Sequence, residues 1–376
     1  MRGATAPGKP EYPLGFFGYN RHFPRRATPT GFLMAASPKR PGLLKSFFGA
    51  ILRAYHPRTM REKGLLWTVT MLTILVLGIF LAIAEYWGEE PEEFDVLASA
   101  IQDAGVKNSR ELPLGYTYAT TLIDIGETLL YKPGGFLVND MFPPGVFEDN
   151  MPMWEYGALT ALRDATSALR NHIARAQSQS KEDPDLAQAE PFFYFDHTSW
   201  QLPSSESEYQ KGIEAMMRYR ARLMKREASF FSRADNLRQY LEILEKRLGS
   251  LSNRLSASAG DMSQVSTEEK RGVATKTSWW NVDDIFFEAR GYSWAAIHIL
   301  KAIEFDFRDI LGNKTALVSL QSIIHELEDG QAPFLSPIIL NGDGFGIFAN
   351  YSLTLANYIA RANAATIDLR NLLQQG

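Results

Sequence analysis

The residues best suited to chemistry lie in one stretch, Trp279-Trp280-Asn281-Val282-Asp283-Asp284-Ile285-Phe286-Phe287-Glu288. Three carboxylates fall within two helical turns. Asp284 and Glu288 are four apart and share one helix face. Paired carboxylates do general acid–base work when a cleft raises one of their pKa values, and acids beside tryptophans suit a cation, a sugar or a partner protein. The pattern also has a plain structural reading. Acids complement the positive end of a helix at its first turn, and tryptophans pack in a core. Trp279, Trp280, Asp283, Asp284 and Glu288 therefore form a candidate interaction or ligand patch, with the structural reading as the default.

Other motifs fall short of the chemistry they resemble. Gly291-Tyr-Ser293-Trp-Ala295 is close to a nucleophile elbow, which needs a strand-to-helix turn, but it sits inside a continuous helical pattern. Small residues there suit close helix packing. His325-Glu326-Leu-Glu328 starts like a zinc-protease motif and lacks the second histidine. The six histidines (His22, His56, His172, His197, His298, His325) are dispersed, with no i, i+4 pair, so core or surface roles are expected. Asn341-Gly-Asp343-Gly-Phe-Gly346 has the glycines of a phosphate loop without the Lys-Ser/Thr, and the front of a calcium loop without its closing glutamate. A turn requiring positive φ explains it. With 0 cysteines there is no thiol nucleophile, thiolate metal site or disulfide. No catalytic, cofactor-binding or metal residue is assigned, and no cofactor is expected.

These residues belong to a chain of 376 residues, 45% hydrophobic, with a net charge of -4. That composition supports one large or two ordinary folded domains. The charge conceals two opposite parts. Residues 1–64 hold twelve Lys/Arg against Glu11 and Glu62, a balance of +10, which leaves -14 for the rest. The sign changes across Leu65–Ala84, an apolar run of 20 residues without a charge. At about 1.5 Å per residue it spans ~30 Å, the hydrocarbon thickness of a bilayer. Trp67 on one side and Tyr86 with Trp87 on the other suit interfacial anchors, and the positive-inside rule puts the N-terminus in the cytosol. Cleavage after Ala82-Ile83-Ala84 is the competing reading, but the run is long for a signal peptide and 64 residues precede it.

Residues 1–42 carry seven of the 19 prolines and read as a disordered basic tail, or as a mis-assigned start with Met34 as the alternative. Residues 43–64 form a juxtamembrane basic amphipathic segment, with Leu44, Phe48, Ile51 and Tyr55 at helical spacing. Residues 65–87 are the transmembrane helix, and 88–376 an exported α-helical domain. Its expected helices include one after Pro152, one opened by a Ser205–Glu208 capping box, one capped by Asn281 with an apolar face from Ile285 to Ile310, one near Lys314–Glu328 and one from about Ser352. Phe230, Ala234, Leu237, Leu241, Leu244, Leu248, Leu251 and Leu255 form an a/d seam of nearly four heptads. It joins two chains as a coiled coil, or packs inside one chain against the preceding helix of Tyr209, Ile213, Met216 and Leu223. The intrachain reading is preferred. Phe192–Phe195 and Ser336–Leu340 are short apolar runs bounded by turn residues, each readable as a strand or as a buried loop. Loops are expected at about 132–150, 177–204, 258–280 and 331–350.

Several long strings resemble a family of bacterial, mainly proteobacterial, single-pass inner-membrane proteins catalogued as a domain of unknown function. They include Gln177–Leu186, Phe195–Trp200, Arg247–Ser252, Trp279–Trp294, Asn341–Asn350 and Ala356–Ala365. The resemblance covers roughly residues 60–375. It implies a membrane anchor and a helical exported domain, and it brings no catalytic residue. The fold expected is mainly α: one N-terminal transmembrane helix, then a large periplasmic helical bundle with long loops. The expected function is a non-enzymatic envelope scaffold or interaction protein in contact with the lipid bilayer, with an envelope protein or a second copy as partner. The competing function is an envelope hydrolase or sugar-modifying enzyme using Asp283, Asp284 or Glu288. With -14 on the exported part and no basic aromatic stripe, nucleic acid is not an expected partner.

Overall fold

A computed structural model describes residues 49, 53–175, 181–258, 281–313, 316–334, 339, 341 and 349–375. The chain divides into two compact units, residues 1–71 and 72–376. In the first, α1 (Pro57–Lys63) starts where the His56 ring accepts from the Arg58 N–H and stops at Gly64, whose φ of 88° favours glycine. Leu44, Phe48 and Ile51 of the amphipathic segment lie outside the described residues.

Helix α2 (Leu65–Trp87) is 23 residues long, apolar enough to cross a membrane, and none of its residues is buried. A core helix of a soluble protein of this composition would be covered on most sides. The first connection after it leads to α3 (Val96–Ala104), capped by the Asp95 carboxylate, which accepts from the Leu97 and Ala98 N–H groups.

The rest of the second unit is a helical bundle. It contains α4 (Tyr116–Tyr131), α5 (Asn150–Ala168, running into a π-helical turn Leu169–Ile173), α6 (Leu186–Phe193) and α7 (Ser205–Met224). It continues with α8 (Ala234–Ser258), α9 (Val282–Asp306), α10 (Arg308–Asn313), α11 (Leu317–Asp329) and α12 (Tyr351–Gln374). Helix α9 is the hub and packs on α5, α4, α11 and α8. The apolar face expected of this helix is buried from Ala289 through Tyr292, Ala296, Ile299 and Ile303 to Phe307, and because every residue from Ala289 to Leu300 is buried, neighbours cover α9 on all sides. Its small residues explain how. A Cβ on Gly291 would run into the Trp154 backbone, and one on Gly157 into the backbone of Glu288 and Tyr292. The two glycines let α5 and α9 cross with main chain against main chain. Ser293 is wholly buried in this crossing rather than exposed on a turn.

The a/d seam is buried within the chain: Leu237, Leu241, Leu244, Leu248 and Leu255 are inaccessible to solvent. Its partner differs from the expected one. Helix α8 packs chiefly on α12, where the Ser252 hydroxyl donates to the Ala356 carbonyl at 3.0 Å and Arg370 pairs with Glu245 at 2.7 Å. The preceding helix α7 packs on α4 and α6. The connection between α7 and α8 accounts for this. Phe230 lies ahead of the helix, wedged over Gly115 between the Tyr118 and Phe307 rings, and the Phe231 N–H donates to the Ile173 carbonyl. Leu244→Ala should cost about 2–5 kcal/mol, through lost transfer energy and a residual cavity. Leu244→Glu should cost at least as much by burying an unpaired charge. Neither melt should depend on protein concentration. A wild-type dimer that Leu244→Glu turns into a folded monomer would show instead that the seam joins two chains.

Three local expectations also change. Phe192 and Phe193 close helix α6, and Phe195 follows it, so that run is not a strand. Of the second run, Ile339 is described and buried, and the rest lies outside the described residues. The cap of α7 is Ser204, whose hydroxyl accepts from the Ser207 N–H; the Ser205 hydroxyl instead donates to the Asp196 and Ser199 carbonyls. Asn281 holds the N-cap position of α9 without a side-chain cap bond.

Candidate functional site

The acidic stretch begins α9, with Asp283 and Asp284 in its first turn. Glu288 is taken up by Arg254 of α8, whose two terminal nitrogens donate to the two carboxylate oxygens. Asp283 and Asp284 stay half-buried in the first turn, near Asp149 at the start of α5. Burial raises both carboxyls, and Asp149 adds to the rise. Trp279 and Trp280 lie outside the described residues. Among the described residues no group of three or more His, Asp or Glu is placed to hold a metal ion. The glycine loop spans residues 342–348, also outside the described residues; its flanks meet in an antiparallel bridge between Asn341 and Asn350. His325 and Glu326 are on the surface of α11, with Glu326 paired to Arg361 of α12.

Two residues beyond Glu288 lies the feature that sequence reasoning passed over. Arg290 is nearly inaccessible, and its guanidinium grips the Glu90 carboxylate at 2.6–3.0 Å, three residues beyond the apolar helix. The same guanidinium donates to the carbonyls of Gly330, Gln331 and Ala332 and lies over the Phe286 and Phe334 rings. One turn apart along α9 come further attachments of the same segment. Phe94 stacks on His298 with centroids 4.0 Å apart and meets Trp294 edge-on, its N–H donating to His298 Nε2 at 3.1 Å. Lys301 then pairs with Glu93. The acids after the apolar run were legible as charges, but their partners lie about 200 positions away. The available signal was a lone charge, Arg290, in Ala289–Ile297, a stretch otherwise without one, since a buried arginine needs an anionic partner.

Two further buried carboxylates hold the bundle ends. Glu155 of α5 accepts from the Leu137 and Val138 N–H groups and pairs with Lys132 at 2.5 Å. It thereby fixes the 132–139 part of an expected loop. Asp306 accepts from the Gly115 N–H at 3.0 Å and the Tyr118 N–H at 2.9 Å, so a carboxylate from α9 caps α4. Burial pushes Glu155 and Asp306 each up to about 7, against their hydrogen-bond donors. Both acids bind a proton more tightly folded than unfolded. Their contribution is therefore complete below the unfolded carboxyl range and lost as pH rises through about 7. His298 works the other way. Burial pulls it down to about 4, so its contribution is complete above 6.5 and lost as pH falls through about 4. Asp306→Asn removes one acid from this balance. Its loss of stability relative to wild type should be larger at pH about 5 than at pH about 8 in urea titrations, and an equal loss at both would show that Asp306 is ionised throughout.

Grooves also mark the surface of the described residues. One of about 640 Å³ lies between the chain after Glu93 and the C-terminal half of α9, lined by Asp95, Lys301, Glu304 and Arg308. Another of about 580 Å³ lies by the π-helical turn, lined by His172, Arg175 and Arg238 with Asp235. Neither contains the predicted acids.

No curated protein and no solved structure matches the chain. One family model does, over residues 60–376, with the description "Uncharacterized protein conserved in bacteria". That match begins just ahead of the apolar helix and runs through the whole bundle, so the chain belongs to this bacterial family, DUF2333.

Proposed function

We propose that the protein is a bitopic inner-membrane protein, its N-terminus cytosolic and its helical bundle periplasmic, that acts as a non-enzymatic scaffold or interaction module of the cell envelope. The observation that carries this reading is the clamp behind the apolar helix. Glu90 in Arg290, Phe94 on His298 and Glu93 on Lys301 fasten the first residues after the helix along the central helix of the bundle. A domain fastened to the end of its own anchor is held at a fixed height and angle. That suits a surface that presents contacts. The +10 and -14 charge balances on either side of the apolar run support the orientation. The engagement of Glu288 by Arg254 supports a structural role for the acidic stretch.

The partner is an envelope protein or a second copy of the chain. Photo-crosslinkers placed at the exposed Tyr194 and Val318 in intact cells test this. The expected result is a discrete adduct with one envelope protein or with the chain itself. The opposite result is no discrete adduct, together with turnover of an envelope polysaccharide by the purified protein that Asp283→Asn or Asp284→Asn abolishes.

A further inference from the structure

The bundle exposes its large apolar side chains unevenly. Met141, Phe142, Val146 and Phe147 are 54%, 76%, 45% and 79% exposed, and on an adjoining loop Trp200 and Leu202 are 51% and 100% exposed. A soluble surface rarely gathers so much apolar area in so short a stretch without using it. The loop is not loose. Glu155 holds its base at Leu137 and Val138, and the Asn139 amide donates to the Ser199 carbonyl at 2.8 Å and to Glu206 at 3.0 Å. Its tip is closed by the Val146, Phe147 and Glu148 N–H groups, which donate to the Phe142, Pro144 and Gly145 carbonyls. The aromatic side chains are thus displayed by a built turn.

The position of this tip identifies what covers it. The Trp87 ring, at the end of the apolar helix, lies against the backbone of Gly134, and the Glu148 carboxylate lies against Gly88. Phe147 is therefore one residue from a side chain touching the end of the helix. We propose that the 141–147 tip, with Trp200 and Leu202 beside it, inserts into the interfacial layer of the bilayer where the anchor emerges, making a second membrane contact for the bundle. This rests on the reading that Leu65–Trp87 crosses the membrane. Aromatic and aliphatic side chains at that depth exchange water for the headgroup–acyl boundary, as interfacial segments do. Asp140, Glu148 and Asp149 rim the tip, so the contact is apolar and gains nothing from anionic lipid.

The chain has no cysteine, so single-cysteine probes can be introduced without background. Phe142→Cys and Phe147→Cys are the probes. Leu75→Cys within the apolar helix reports on the span. Leu114→Cys is 47% exposed and sits at the opposite end of α4, about 24 Å from the loop by helix rise, as the dry control. Each full-length variant carries an environment-sensitive fluorophore and is reconstituted in phosphatidylcholine vesicles with spin-labelled lipid. The expected result is deep quenching at 75, shallow quenching by about half at 142 and 147, and none at 114, unchanged when phosphatidylglycerol is added. Quenching at 75 without quenching at 142 and 147 overturns the docking tip and leaves the span intact. No quenching at 75 overturns the span, and this inference with it. Probes at 142 and 147 that are shielded from aqueous iodide yet unquenched by lipid are covered by protein, which also overturns it.

Discussion

Gly291→Leu is expected to abolish the cooperative melt of the bundle, and Gly291→Ala to weaken it by about 2–3 kcal/mol. The reason is the identity of the obstacle. A methyl at 291 meets the carbonyl, carbon and Cα of Trp154, and main chain inside a packed helix cannot swing away as a side chain can. Overpacking by a methylene or two typically costs about 1–3 kcal/mol, and a backbone obstacle puts this site at the upper end. Alanine's better helix propensity, about 1 kcal/mol over glycine, works against the loss without cancelling it. Gly157 faces the same crossing from the other helix, so Gly157→Ala should behave alike, and the double variant should fall short of the sum because one separation of α5 from α9 relieves both clashes. Gly312→Ala is the control, since a Cβ there meets nothing within 4 Å. Urea titrations of the full chain in detergent measure all five. A Gly291→Ala variant as stable as wild type would show that the helices do not cross this closely.

The second large effect concerns Arg290. Arg290→Met removes the cation that neutralises Glu90 and the donor to three carbonyls, while keeping much of the side-chain volume. Breaking a buried pair from one side costs about 3–5 kcal/mol because the other charge is left without compensation. Glu90 retains some solvent exposure, which places the expected loss at the lower end, about 3 kcal/mol. Adding Glu90→Gln to Arg290→Met should recover part of the loss, since an amide carries no charge to strand. The single variant should also free the segment between α2 and α3, making residues 88–95 a site of limited proteolysis while the bundle stays folded. A protected segment in Arg290→Met would mean that the Phe94 and Lys301 contacts suffice as the clamp.

How much of this was legible in the sequence depends on the range of each interaction. Helix α2 follows from twenty uncharged apolar residues, and the burial of Leu237–Leu255 follows from their spacing, because both signals are local. The partner of that seam was not local. Spacing says that α8 needs a covered face, but the contact with α12 is set by Phe230 and Phe231 turning the chain away from α7. Asp283, Asp284 and Glu288 were placed correctly at the start of a helix. What the sequence left open was their surroundings: Arg254, which engages Glu288, lies on another helix, and Asp149 on a third. Glu155, Asp306, Arg290 and His298 went unread for the same reason. Each is an ordinary polar residue whose role comes from a partner 17 to 204 positions away. Gly291 was read as a packing residue because glycine and serine inside an apolar helix leave room for a neighbour.

Under the proposed reading α2 is a retained membrane anchor and the bundle is clamped to its exported end. The most direct measurement is alkaline phosphatase fused after Gly376, assayed for activity and for membrane retention after alkaline extraction. Active and retained enzyme is the predicted result. Inactive enzyme would place the bundle in the cytosol, and active enzyme released into the soluble fraction would show that the helix is removed after Ala84 rather than kept as an anchor.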